Sequence, residues 1–224
     1  MNARASKLID IVVSHEGFYK IISSKRYNES YMGIDRKIFP RWSGWQIIDQ
    51  WKPLKNGQHI EDDNLDDIVR RFYYNNFYTK LQIDSIINDL IAVHILDHAI
   101  NAGVKNGIRV LQRAVNEMST SAIRVNGIMN ESVVDAINVL DNEELGEYVV
   151  MHRRKYYKNL ASKSEKSAQF LKTNLKRVDK TTKALQPKLS TVIFNKLKSN
   201  GIIEKVLGWL FDWFKSKISK TTSL

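Results

Sequence analysis

The sequence predicts an all-α protein: a helical domain, a small helical C-terminal appendage and a C-terminal amphipathic helix. Two observations carry this. Glycine and proline are sparse, 10 and 3 in 224 residues, and the apolar residues recur at helical rather than alternating spacing. Any strands are expected to be short. With 43% apolar residues, the chain has enough for one substantial core and a smaller second domain or tail.

In chain order, "KLIDIVV" supplies the apolar face of a first helix over roughly 3–16, and a polar loop follows through 33. The aromatic segment "FPRWSGWQIIDQWKP" folds around a glycine turn and closes at Pro53, its Trp42, Trp45 and Trp51 suited to core packing or to stacking on sugars. "EDDNLDD" provides caps and N-terminal negative charge for a helix over about 64–79. "IDSIINDLIAVHILDHAINAG" is the most apolar stretch, a central buried helix stopped at Gly103, and "NGIRVLQRAVNEM" continues as the next helix. After the turn "RVNGIMN", the segments "ESVVDAINVL", "DNEELGEYVVMHRRKYYKNLA" and "SAQFLKTNLKRVDKTTKAL" make a three-helix appendage, bounded by Pro187. Domain divisions are therefore expected at 1–105, 106–186 and 187–224. In the last, Ile202, Val206, Leu210, Trp213 and Ile218 share one helical stripe flanked by Lys205, Lys215, Lys217 and Lys220, as in helices that pack on a partner or lie in a membrane interface.

Composition excludes several chemistries. The absence of cysteine removes disulfides, thiolate metal sites and cysteine nucleophiles. His94 and His98, at i and i+4, lack the adjacent acid and third ligand of a zinc-peptidase helix, and no serine-hydrolase elbow or phosphate-binding glycine loop occurs. No cofactor is expected. The first residues have neither the apolar length nor the cleavage site of a signal peptide, and no window approaches the roughly 20 apolar residues of a membrane span. Net charge is +11, but residues 1–151 hold 17 Lys/Arg against 20 Asp/Glu, while residues 152–224 hold 18 against 4. The basic C-terminal third suits a polyanion, whether envelope polymer, anionic membrane or nucleic acid; no recognised nucleic-acid motif accompanies it, so no specific nucleic-acid partner is expected.

One residue points to a reaction. Glu16 closes an apolar helical run beside a polar loop, where partial desolvation would keep a carboxyl group protonated and able to protonate the leaving oxygen of a glycosidic bond.

The motifs around it sharpen this. "HEGFY", a polar loop and "SYMGI", then "FYYNNFYTKLQID", "LDHAINAG" and "RVLQRAVN" occur in order, and together they resemble glycoside hydrolase family 108, the bacterial and phage N-acetylmuramidases. "VNGIMNESVVDAIN" and "RRKYYKNLA" with "QFLKTNLKRVDK" resemble the small peptidoglycan-binding module of such proteins. The likeness covers about residues 5–182. It implies a lysozyme-like fold, peptidoglycan glycan strands as substrate and Glu16 as catalytic acid. It further implies cleft support from Tyr19, close backbone approach at Gly33 and Ile34, and a water-holding hydroxyl at Ser30. Asp97 and Asn101 match the family's Asp-x-Ala-x-Asn, as a helix-end network supporting the loop or as substrate contacts. Tyr31 is a stacking residue within the signature, and Glu29, with Asp35 as runner-up, is the nearest second carboxylate in the loop.

The chain departs from the family pattern at Phe18, Tyr27 and Asn28, where glycines are usual, and lacks a loop aspartate. The two lost from the loop, at Tyr27 and Asn28, imply a different loop path, which leaves a catalytically impaired wall-binding or scaffold protein as the alternative. Without a signal peptide, a protein acting in the envelope would be a phage or prophage endolysin released through a membrane lesion, or an effector delivered by another route.

Overall fold

The computed structural model describes residues 1–23 and 28–185; the amphipathic stripe and the departure at Tyr27 lie outside them. The first helix, α1 (Ala3–Val13), is capped by the Asn2 side chain, which accepts from the Ala5 amide, and buries Ala5, Leu8, Ile9 and Val12. It ends three residues short of the expected 16. His15 and Glu16 sit in a turn whose amides donate to the carbonyls of Val12 and Val13, so the Glu16 side chain leaves the helix axis.

The expected irregular loop contains a three-stranded antiparallel sheet, β1 (Lys20–Ser23), β2 (Asn28–Tyr31) and β3 (Ile34–Asp35), in the order β1-β2-β3. Ser30 pairs with Lys20 on one side and Asp35 on the other. Along β2 the buried residues alternate, Glu29 and Tyr31 facing in. Met32 and Gly33, with φ of 44° and 79°, make the turn to β3, the pattern of a two-residue type I′ hairpin.

Helix α2 (Gly44–Gln50) holds Trp45 in the core, where its indole N–H donates to the Phe39 carbonyl at 2.8 Å. Trp42 packs edge-on against it, whereas Trp51 is exposed. Helix α3 (Asp63–Tyr73) begins at the Asp62 cap, with Asp63 and Asp66 in its first turn and Arg70 and Arg71 in its last, complementing the helix dipole. A π-helical turn at Tyr74–Tyr78 follows.

The central helix, α4 (Asp89–Ala102), is capped by Asn88 and buried from Ile91 to Ala99 without a break, as its uninterrupted apolar sequence requires. It packs against α1 and against α5 (Val104–Met118) and α7 (Asn142–Ala161). Gly107 permits the close approach of α5: a Cβ there would lie 3.0 Å from that of Ala99 and 3.1 Å from the Ile95 carbonyl. The short α6 (Glu131–Val139) and α8 (Glu165–Ala168) complete the appendage with α9 (Leu171–Leu185). Met1–Lys183 forms one compact unit and Ala184–Leu224 another; the division expected at 105 falls inside the first, in the opening turn of α5, which packs on α4. Among the described residues, no helix is long and apolar enough to cross a membrane.

Candidate active site

Glu16 lies on the wall of a cavity of about 290 Å³, together with Asp10, Val13 and Ser14 from the end of α1, Phe18, Met32 of the hairpin turn, and Asp66, Val69 and Arg70 of α3. The helical spacing of each set explains why it shares a wall. Gly33 is pressed against the carboxylate: a Cβ there would stand 2.7 Å from Glu16 Oε2 and 2.8 Å from the Tyr73 hydroxyl. Tyr73 Oη donates to the Met32 carbonyl at 2.5 Å and so pins the hairpin beside Glu16. Burial and the Glu16 charge push the Tyr73 phenol far above its ordinary range, so it stays a neutral donor.

The apolar setting expected for Glu16 is not what surrounds it. Its side chain is 18% exposed and its Oε1 receives Arg177 Nη2, from α9, at 2.5 Å. The same guanidinium donates through Nε to Asp97 Oδ1 at 2.9 Å. Asp97 is fully buried and also accepts from Arg153 at 2.5 Å, from Thr181 and from His15 Nδ1, which must therefore carry the imidazole hydrogen. Burial alone would raise the Asp97 pKa; Arg153, the His15 hydrogen bond and Arg177 hold it well below the carboxylate range. Two carboxylates and two guanidiniums thus form a closed network joining the Glu16 turn, α4, α7 and α9. Of the two roles open to Asp97, helix-end network or substrate contact, the structure buries it as the hub of a network.

Asn101 accepts from the Tyr157 hydroxyl at 3.1 Å, and that hydroxyl meets His98 Nδ1 at 3.2 Å, so Asn101 ends a helix-end chain rather than lining the groove. His94 receives Arg153 on Nδ1 and meets Thr182 through Nε2. Burial, aided by Arg153, pushes both imidazoles down, His98 to about 3, and keeps them neutral.

Four further expectations, for Glu29, Tyr19, Tyr31 and Ser30, are corrected. Glu29 is buried and held by Tyr19 Oη at 2.5 Å, Arg36 at 2.5 Å and Lys52 at 2.8 Å, part of an ion network with Asp49 under the sheet. Burial would raise its pKa, but Lys52, Tyr19 and Arg36 bring it below normal. It is not on the Glu16 groove. Tyr19 serves that network, its phenol pushed up to about 12 by burial and by Glu29. Tyr31 is fully buried, its hydroxyl exchanging hydrogen bonds with the Ile60 backbone at 3.3 and 3.4 Å, which leaves no ring face for a sugar. Ser30, half-buried in mid-strand, does not line the groove either. Asp35 caps the following turn through the Lys37 amide.

The groove carries other carboxylates. Asp10 is paired with Arg70 at 2.7 Å. Asp66 Oδ1 is buried without a hydrogen bond among the described residues, with His59 Nε2 4.0 Å away. Phe18, 43% exposed, offers an aromatic face on the rim.

Residues 9–103 match the family described as Glycosyl hydrolase 108, and residues 106–179 match a Predicted Peptidoglycan domain. Over residues 9–103 the chain is thus similar to glycosyl hydrolase family 108. The Glu16 groove lies wholly within the hydrolase match, whereas Arg177 comes from the peptidoglycan-domain match. A solved structure, that of Brucella abortus SagA, is similar with a TM-score of 0.54 and 20% sequence identity, covering 81% of this chain and 93% of that chain; at this identity the likeness shows a shared fold. Among curated proteins no sequence matches the chain. The two matches together support a lysozyme-like, peptidoglycan-acting protein with a glycoside-hydrolase region.

Proposed function

We propose that the chain is an N-acetylmuramidase, cleaving the bond between N-acetylmuramic acid and N-acetylglucosamine in peptidoglycan, with Glu16 as general acid. The observation that carries this reading is the placement of Glu16 on an open groove, with a positive-φ glycine against its carboxylate, inside the region matched to the hydrolase family. Glycosidic cleavage needs a proton on the leaving oxygen. A carboxylate accepting from a guanidinium has no proton to give, so the Arg177 contact opens when a glycan enters and Glu16 takes up its proton.

The second carboxylate in this reading is Asp66. It shares the groove with Glu16, its buried oxygen is uncommitted, and Glu29 is occupied elsewhere. Asp66 either receives a proton from the attacking water or stabilises positive charge on the sugar ring, and the separation of the two groups in the bound complex selects inversion or retention. Phe18 replaces Tyr31 as the surface on which a sugar stacks. The basic C-terminal third holds the enzyme on anionic envelope polymers or membrane. The protein works in the envelope as a phage or prophage endolysin, or after delivery by another route.

The test is release of new N-acetylmuramic acid reducing ends from purified walls by wild type, Glu16→Gln and Asp66→Asn. Glu16→Gln is expected to lower the rate at least about 100-fold, with a smaller loss for Asp66→Asn. Equal release by wild type and Glu16→Gln overturns the assignment. The Glu16–Arg177 ion pair favours one second reading, a wall-binding protein that no longer turns over substrate; it predicts retention on walls with no new reducing ends from any form.

A further inference from the structure

A second cavity, of about 380 Å³, opens between α5 and the C-terminal half of α7, wholly within the peptidoglycan-domain match. Arg109 and Arg113 line it from successive turns of α5, and Lys155 and Lys163 line it from α7 and the residues just after. No carboxylate is among its lining residues. Among the described residues, the ion pair of this region runs from Arg154 to Asp179 and takes in none of Arg109, Arg113, Lys155 or Lys163; Glu117 faces His152, whose pKa burial lowers. Like charges one helical turn apart repel, and four gathered around one hollow without a counter-charge raise the local potential for an anion.

The cavity also presents neutral donors. The Tyr156 hydroxyl accepts from Asn106 at 3.5 Å, which leaves its own hydrogen free, and the Asn159 amide is exposed beside it. His152, 5% exposed, lines the same wall; its buried Nε2 makes no hydrogen bond, although Glu117 Oε1 lies 3.2 Å away. This mixture of guanidinium forks, ammonium groups and amide or hydroxyl donors fits a carboxylate set in a peptide, since the fork matches the two carboxylate oxygens and the neutral donors match peptide carbonyls.

We infer that this cavity is a carboxylate-binding site for the stem peptides of peptidoglycan, separate from the groove that takes the glycan. The inference rests on the reading that the chain acts on peptidoglycan. In that polymer the lactyl group of each substituted sugar is amide-linked, so the fixed negative charge resides on free carboxylates of the stem peptides. A basic pocket in a peptidoglycan-directed domain therefore meets the peptide and not the sugar.

The experiment measures retention of the full-length Glu16→Gln chain, which leaves the walls uncut. It uses phosphate-free sacculi, and glycan strands from the same sacculi whose stem peptides have been removed by an amidase and whose freed lactyl carboxylates have then been capped as neutral amides. Adding Arg113→Glu and Lys155→Glu, both exposed positions, is expected to weaken retention on sacculi at least tenfold, with the thermal midpoint confirming the fold. The stripped strands are expected to hold the parent as weakly as sacculi hold the double variant. A control of equal charge change, Lys166→Glu with Lys172→Glu, is expected to retain like the parent. The inference is overturned if the cavity variant binds like the parent, if the control weakens binding equally, if stripped strands bind as well as sacculi, or if retention appears only on phosphate-bearing walls. Failure of the parent to bind any sacculus, with no new reducing ends from wild type, overturns the peptidoglycan reading itself; a null cavity variant on a parent that binds overturns only this site.

Discussion

Gly33 has a φ of 79° and leaves 2.7 Å between its missing Cβ and Glu16 Oε2, so both backbone and space demand glycine. Gly33→Ala is expected to cost about 1–2 kcal/mol of stability from the left-handed conformation and to lower wall hydrolysis at least tenfold by displacing the carboxylate; urea unfolding and reducing-end release measure the two separately. Glu16 and Gly33 were legible because both sit in short motifs whose order is preserved. Glu29 and Tyr31 were misread for a local reason: β2 has four residues, and only its pairing partners reveal that alternate side chains turn inward. Asp66 was discoverable in principle, since Asp66, Val69, Arg70 and Tyr73 fall on one face of a capped helix. What singled out Glu29 was its proximity in sequence to the signature, whereas the groove wall is formed by residues from three separate segments.

Among the elements, α9 does what no motif announced. It brings Arg177 to Glu16 across 161 residues, and an ion pair so remote leaves no periodicity to read. The helices themselves were legible from apolar spacing and caps, with α1 shortened by the turn that releases Glu16. The small sheet was not, because its strands are too short for alternation to stand out. The contacts of α4 with α7 and α9 depend on Asp97. Asp97→Asn leaves Arg153 and Arg177 buried against a neutral amide and is expected to destabilise the fold by about 3–5 kcal/mol, seen as a lower urea midpoint at unchanged slope. A loss under about 1 kcal/mol would mean the two guanidiniums find water instead.

For the whole molecule, acid is the revealing variable. His94 and His98 are neutral in the fold, with pKa values pushed down, that of His98 to about 3, while in the unfolded chain they titrate near about 6.5. Between those limits the unfolded chain binds more protons, so their contribution is intact above about pH 6.5 and declines as pH falls, by about 1.4 kcal/mol per pH unit for each imidazole. Asp97, also depressed, adds its loss only below about pH 4, where the unfolded carboxylate begins to protonate. The thermal midpoint is therefore expected to drop in two stages, the first as pH falls below about 6.5 and the second below about pH 4. Replacing both histidines by glutamine should flatten the first stage and leave the second; a midpoint level down to pH 4.5 in the wild type would contradict the neutral assignment.

The reach of Arg177 into the Glu16 turn has an evolutionary consequence. The region matched to the peptidoglycan domain supplies a guanidinium to the Glu16 turn, so a chimera that exchanges everything after residue 105 would strand Asp97 and Glu16 without Arg153 and Arg177. The two matched regions are therefore expected to exchange only as a pair, and a junction placed after α9 keeps both contacts.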